Sequence, residues 1–357
     1  MTSSEPLLTT RQLNRALLAR QYLLERVPSA LPAALEQVAG LPAQHGSAYL
    51  GLLARLSHFE RDALTAALED RSVVQASLMR QTIYVVSQHD FVLMAAGVRR
   101  ARREWWLRVS RSRGLDETAY RNLADKLATT LKDGPRTRAE LLEDIDGAGY
   151  PKHAFEGVVL WLDLVRIPPY GTWHQPKADL FGLASDWVDV GSTPIEAVDV
   201  SDGLDLLVQR YFRAFGPAPL GDVASWAGVP AASLEPSIER LDLRRFFDET
   251  GTLLLDLPFG PLPDPDTPAP VRFLPTWDAV HLVHAKRAAI VSEENRKRAL
   301  ATTTPSGVGT FLVDGTVAGT WTFTGEQVET EAFSALPASA REEVEAEANL
   351  LAELFAN

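Results

Sequence analysis

Apolar residues recur at helical spacing near the start of the chain. Leu13, Leu17, Leu18 and Leu24 follow Thr9-Thr10-Arg11-Gln12, a capping-box sequence, and this predicts a helix through about Arg26. Pro28 and Pro32 break it, and shorter helical patterns follow over Ala33–Val38, Ser47–Leu56 and Glu60–Asp70. The period then changes to that of strands, with β-branched runs at Val73–Leu78 and Thr82–Val86. Helices that end in a two-stranded ribbon are the sequence pattern of a winged helix.

That pattern recurs. Glu117–Leu131 reads as helix, a turn at Gly134-Pro135-Arg136-Thr137 opens the next, His153–Leu162 forms another, and Val165–Trp173 gives a ribbon around Pro168-Pro169-Tyr170-Gly171. A third round has a helix at Leu204–Phe215, a turn at Gly216-Pro217-Ala218-Pro219, a helix at Ala231–Leu241, and strands at Arg244–Phe247 and Thr252–Leu257. Repetition at this scale favours tandem modules over one large α/β domain. Pro258–Pro270 holds six prolines in thirteen residues and reads as a stiff linker. Beyond it, Asp314-Gly315 between two alternating runs signals a two-residue hairpin turn. The chain closes on a helix over Ala338–Phe355, opened by Ser339-x-x-Glu342, with Val344, Leu351 and Phe355 on one stripe that serves core packing. The expected fold is α+β: three tandem winged-helix modules (1–115, 116–200 and 201–258), then a β-rich domain with a terminal helix (271–357).

The absence of cysteine excludes disulfides, thiolate metal sites and a cysteine nucleophile. No segment approaches a membrane span, and Met1–Pro6 has no secretory pattern, so the expected location is cytoplasmic. The net charge of -12 argues against a polyanionic partner until its distribution is considered. Between Arg99 and Arg113, seven arginines stand against the single acid Glu104, while the acid excess lies elsewhere, as in Glu326–Glu347. The field at a cleft depends on nearby charges, so this segment suits a nucleic-acid backbone. A second basic group, Arg296-Lys297-Arg298, precedes Thr302-Thr303-Thr304-Pro305-Ser306-Gly307. A polar hairpin beside such charges can probe a groove, although taken alone it is first of all an ordinary ribbon with solvated charges.

The chain resembles the AlkZ/YcaQ-type winged-helix DNA glycosylases over nearly its whole length. The resemblance rests on Leu13-Asn14-Arg15-Ala16-Leu17-Leu18-Ala19-Arg20-Gln21, Gly40-Leu41-Pro42-Ala43-Gln44 and Ala48-Tyr49-Leu50-Gly51-Leu52-Leu53-Ala54-Arg55-Leu56. It continues in Leu78-Met79-Arg80-Gln81-Thr82, Phe273-Leu274-Pro275-Thr276-Trp277-Asp278 and the hairpin Val313-Asp314-Gly315 to Trp321. It implies excision of purines alkylated at N7 or N3, including bulky natural-product adducts or crosslinks. The implied enzyme is a monofunctional, monomeric glycosylase acting on double-stranded DNA without metal or organic cofactor.

The family's catalytic motif, Gln-x-Gln or Gln-x-Asp, falls here on Pro42-Ala43-Gln44, so only Gln44 carries over, as the residue that positions the attacking water. A base alkylated at N7 is already cationic and leaves without protonation; an amide oxygen can orient water although it cannot act as a base. His45 follows and has the titration range of a base, but adjacent residues point in different directions, which favours a solvated or phosphate-contacting role. Tyr84 and Arg80 either face the same cleft or serve packing and surface charge. Trp105-Trp106 reads as a helix anchor ahead of a base-stacking pair. Thr302, Thr303, Thr304 and Ser306 occupy the family's groove-contacting hairpin, with Arg99, Arg100, Arg102, Arg103, Arg296, Lys297 and Arg298 as phosphate contacts. Two other readings stand beside the enzyme: a non-enzymatic DNA-binding protein with catalysis lost at Pro42, and a drug-binding resistance protein.

Overall fold

In the computed structural model, which describes residues 6–189, 194–285, 289–299 and 308–356, the chain starts with a short strand β1 (Leu7–Leu8) and helix α1 (Thr10–Arg20). The expected capping box is present: Thr9 accepts the Gln12 N–H, and Gln12 Oε1 accepts the Thr9 N–H at 2.9 Å. The helix stops at Arg20 rather than Arg26, because Tyr22 adopts a left-handed backbone (φ 56°) that turns the chain away. There follow α2 (Leu31–Gln37), β2 (Leu41–Pro42), α3 (Ser47–Arg55), α4 (Arg61–Glu69), the hairpin β3 (Val73–Ser77) and β4 (Ile83–Ser87), and the long helix α5 (Gln88–Val109).

The next stretch contains α6 (Glu117–Lys132), β5 (Arg136–Thr137), α7 (Arg138–Gly147), α8 (Phe155–Val158), β6 (Leu164–Arg166), β7 (Leu180–Leu183) and α9 (Ala184–Trp187). Here two expectations change. The helix over His153–Leu162 contracts to Phe155–Val158, and the partner of β6 is Leu180–Leu183, not the segment up to Trp173. Pro168 and Pro169 lack the N–H groups a ladder needs, so the chain loops out before it returns. The third stretch holds α10 (Val200–Phe215), α11 (Leu220–Ala227), α12 (Ala231–Arg240), β8 (Arg244–Asp248) and β9 (Leu253–Asp256). After the proline-rich linker come β10 (Arg272–Pro275), α13 (Glu293–Ala299), β11 (Val308–Val313), β12 (Thr316–Phe323), β13 (Val328–Ala332) and α14 (Ala338–Ala356). The last helix begins one residue ahead of Ser339, so that serine lies within it. Val344 and Leu351 are buried, and Phe355 stacks on Phe323 at 4.0 Å between ring centroids.

The fold is α+β, with a C-terminal sheet and a terminal helix. Its strands join stretches of chain that the sequence separates. The hairpins of the first two stretches form one six-stranded sheet in the order β2-β4-β3-β6-β7-β5, and β1 at the N-terminus pairs in parallel with β8. Helices α5 and α10 cross at Gly97 and Gly203, where a Cβ on Gly203 would stand 2.3 Å from the Gly97 nitrogen. Only glycine allows that approach. One apolar core runs from Leu17 on α1 to Val317 on β12.

Buried polar clamps complete the assembly. Arg20 donates to both oxygens of Asp256 (2.6 and 2.9 Å) and to the Phe212 carbonyl, and Arg55 donates to both oxygens of Asp278 at 2.8 Å. Arg210 grips Asp90 at 2.7 Å through two nitrogens. Burial alone would raise the Asp278 pKa, but the Arg55 guanidinium outweighs it and holds the carboxyl below the usual range. Among the described residues no helix is long and apolar enough to cross a membrane.

Candidate active site and DNA interface

The loop that follows β2 carries Gln44 and His45, and its shape comes from two neighbouring bonds. Pro42 pairs with Tyr84 and the Ala43 N–H donates to the Ile83 carbonyl at 2.9 Å, which fixes the chain up to Ala43. Ser47 at the start of α3 donates its hydroxyl to the Pro42 carbonyl at 2.7 Å. Between them His45 and Gly46 both adopt left-handed backbones (φ 52° and 81°), which reverses the chain into the helix. The reversal separates the two candidate side chains. Gln44 is half-buried and its Oε1 is fully enclosed without a hydrogen-bond partner, whereas His45 is exposed. A buried carbonyl oxygen left unpaired costs on the order of 1–3 kcal/mol, so a donor that reached this atom would be bound favourably.

A second glutamine stands behind the loop. Gln75 interrupts the apolar run of β3, is 2 % exposed, and donates from Nε2 to the Ala43 carbonyl at 3.4 Å. Its Oε1 is also enclosed without a partner, against Gly171, where a Cβ would come within 1.9 Å. Gln75 therefore links the Gln44 loop to the Pro168–Gly171 loop of the second stretch. Sequence reasoning passed over it, although a lone polar residue in Val73-Val74-Gln75-Ala76 was the available signal. Tyr84, by contrast, is 1 % exposed and packs in the apolar core, where burial pushes its hydroxyl pKa up. Arg80 is exposed on the β3–β4 turn, where it and Gln81 have left-handed backbones.

The arginine segment on α5 does not turn all of its cations outward, which corrects the expectation that Arg99, Arg100, Arg102 and Arg103 alike contact phosphates. Its helical period turns Arg99 and Arg102 inward. Arg99 is bound to Asp163 at 2.9 Å and to the Ile195 carbonyl, so it is committed inside the protein and unavailable to a phosphate. Arg102 donates to the Ser77 carbonyl at 2.7 Å from the wall of a cavity. Arg103 donates to the Leu160 carbonyl and lies over Trp161, and Arg100 is exposed beside Glu104. Trp106 is buried as the helix anchor, while Trp105 is 44 % exposed.

Arg296, Lys297 and Arg298 are all exposed on α13. Arg298 also fastens that helix to the sheet, through Glu331 at 3.1 Å and the face of Phe333. Thr302, Thr303, Thr304 and Ser306 lie outside the described residues. The Asp314-Gly315 turn forms as expected, with both residues left-handed, but its tip is not free to probe a groove. Arg11 and Arg15 both bind Asp314, and Asn14 donates to the Gly315 carbonyl at 2.7 Å, so the tip is clamped on α1. Glu36, His89 and Asp90 bring potential metal ligands together, but Arg210 already donates to both carboxylates, leaving a cation poorly placed there.

The geometry is therefore that of an enclosed amide acceptor on a braced loop, with exposed cations on other elements. A family model described as DNA glycosylase AlkZ-like matches residues 35–354. Among solved structures the chain is similar to the DNA glycosylase AlkZ of Streptomyces sahachiroi, with a TM-score of 0.79. That likeness spans 98 % of this chain and 97 % of the other at 19 % identity, and so speaks to the fold. No curated protein matches the chain. With the family model covering most of its length, the chain belongs to the AlkZ-like family of DNA glycosylases.

Proposed function

We propose that this DNA glycosylase excises purines alkylated at N7 or N3, bulky adducts among them, by attack of a water held on Gln44. The observation that carries the reading is the enclosed, unpartnered Gln44 Oε1 at the position matching the family's catalytic motif. The alkylated base is a cation and needs no general acid to leave. As the glycosidic bond breaks, positive charge develops on the sugar, and a neutral carbonyl dipole aimed at the water orients its lone pair toward that carbon. No lysine lies on the loop to form a covalent imine with the sugar, in keeping with hydrolysis alone. Arg80, Arg100, Arg296, Lys297 and Arg298, exposed in the structure, are assigned to the DNA backbone, as are Thr302, Thr303, Thr304 and Ser306 to a groove.

Pro42 favours a second reading. It occupies the place of the family's first glutamine and is buried in the ladder, so it offers the substrate no side-chain hydrogen bond. A DNA-binding protein without turnover would keep the cations and lose base release. Incubation with a duplex containing one N7-methylguanine separates the two. The proposed enzyme frees the base and leaves an abasic strand that breaks only after alkali; a duplex bound tightly but left intact contradicts it.

A further inference from the structure

A cavity of about 260 Å³ opens next to the candidate loop, on the face of the six-stranded sheet that carries Ser77, Ile83, Leu164, Arg166 and Phe181. It adjoins that loop through Ile83, whose side chain lines the cavity and whose carbonyl holds the Ala43 N–H. Two arginines line the cavity from different elements, Arg102 of α5 and Arg166 of β6, and they converge on Ser77. Arg102 donates to the Ser77 carbonyl at 2.7 Å, while Arg166 donates to the Ser77 hydroxyl at 3.1 Å and to the Ala178 carbonyl at 3.0 Å. Phe181 lies under the Arg166 guanidinium at 3.9 Å and fixes its plane.

Each of these acceptors is neutral. Among the described residues no carboxylate oxygen comes within ion-pair distance of Arg102 or Arg166. The acids on the cavity wall are engaged elsewhere, Asp163 by Arg99 and Glu156 by Arg138. Arg20, Arg55 and Arg210 each hold a carboxylate, whereas Arg61, also buried, donates to the Leu354 carbonyl. Burial lowers both Arg102 and Arg166 to about 10, which leaves them cationic at neutral pH. Asp163 and Asp179 act on Arg102 and Arg166 only from beyond ion-pair distance, so neither guanidinium has the close carboxylate partner that buried ions ordinarily have.

The geometry points to an oxyanion site, in which a phosphate group enters this cavity and is held by Arg102 and Arg166. Guanidinium forks suit phosphate oxygens, and the apolar part of the wall, with Leu162, Leu164 and Phe181, limits the water that would screen the attraction. The source of the phosphate is either the DNA backbone beside the lesion or a free phosphate or mononucleotide. Only the first of these rests on the function proposed above.

The test reads binding, so it is separate from any failure of base release. Thermal unfolding of the full chain is followed in inorganic phosphate and in chloride at equal ionic strength, for wild type, Arg102→Met and Arg166→Met. Methionine keeps the apolar stem in the cavity, and circular dichroism identifies a variant that fails to fold. Phosphate is expected to raise the melting temperature of wild type beyond chloride, and each variant to bind it about tenfold more weakly or worse. If phosphate also competes with an unmodified duplex, and Arg166→Met weakens duplex binding, the backbone is the source. If phosphate binds without competing, the ligand is a free phosphate or mononucleotide. The inference is overturned if phosphate acts no differently from chloride on wild type, or if both folded variants respond to it as wild type does.

Discussion

At the scale of single residues, the central contrast is between Gln44 and His45. Neighbours in sequence, they are separated by the left-handed reversal at His45 and Gly46, which encloses the amide and exposes the imidazole. Gln44→Ala is therefore expected to lower the single-turnover rate of base release by about a hundredfold or more, the cost of a misplaced nucleophile, with duplex affinity kept. His45→Ala is expected to leave that rate unchanged, as single-turnover assays on the same duplex would show. Gln44 was legible from its place in a motif, whereas its enclosure was not. Ser77 and Arg166 were not legible, and Gln75 only as a lone polar residue in an apolar run, since their meaning depends on strand register: Gln75 opposes Arg166 across β3 and β6, stretches far apart in the chain.

Elements were the most legible level, for a physical reason. Periods of 3.6 and 2 residues report which face of a segment is buried, so the start of α1, and α3, α4, β3, β4 and the β11–β12 hairpin, lie close to where the pattern places them. Periodicity cannot say which strand pairs with which, and so the partner of β6 was misplaced and the continuous six-stranded sheet went unseen. It also cannot tell a solvated arginine from a buried one, since both interrupt an apolar stripe alike. Many residues that carry the family resemblance prove to be clamps between elements: Arg15 on the Asp314 turn, Arg20 on β9, Arg55 on Asp278. Arg55→Ala leaves Asp278 buried without its partner and is expected to destabilise the fold by about 3–5 kcal/mol in chemical denaturation. Asp278 and Asp314 both titrate below their ordinary value: burial alone would raise each, and the bound arginines reverse the effect. A carboxyl with a depressed folded-state pKa adds stability above its unfolded value. Denaturation midpoints are thus expected to hold at neutral pH and to fall as pH drops below about 4.

For the whole molecule, charge distribution outweighs charge total. A chain of net charge -12 keeps exposed cations on the β3–β4 turn, on α5 and on α13, while several other arginines are consumed as internal clamps. Duplex binding should weaken with salt even so. Replacing Arg296, Lys297 and Arg298 together by alanine is expected to flatten the log-log salt dependence by about 0.9 for each phosphate no longer neutralised, measured by fluorescence anisotropy across a salt series. The same substitution should leave the single-turnover rate at saturating enzyme near that of wild type, because these residues hold DNA and do not touch the reacting carbon. The most direct measurement for the account as a whole is single-turnover base release from a duplex carrying one N7-methylguanine, by wild type, Gln44→Ala and Gln44→Glu, with affinities measured in parallel. Release by wild type, its loss in Gln44→Ala at unchanged affinity, and its retention in Gln44→Glu, which keeps an oxygen acceptor, is the predicted result. Equal release by wild type and Gln44→Ala would contradict the assignment of the water to Gln44.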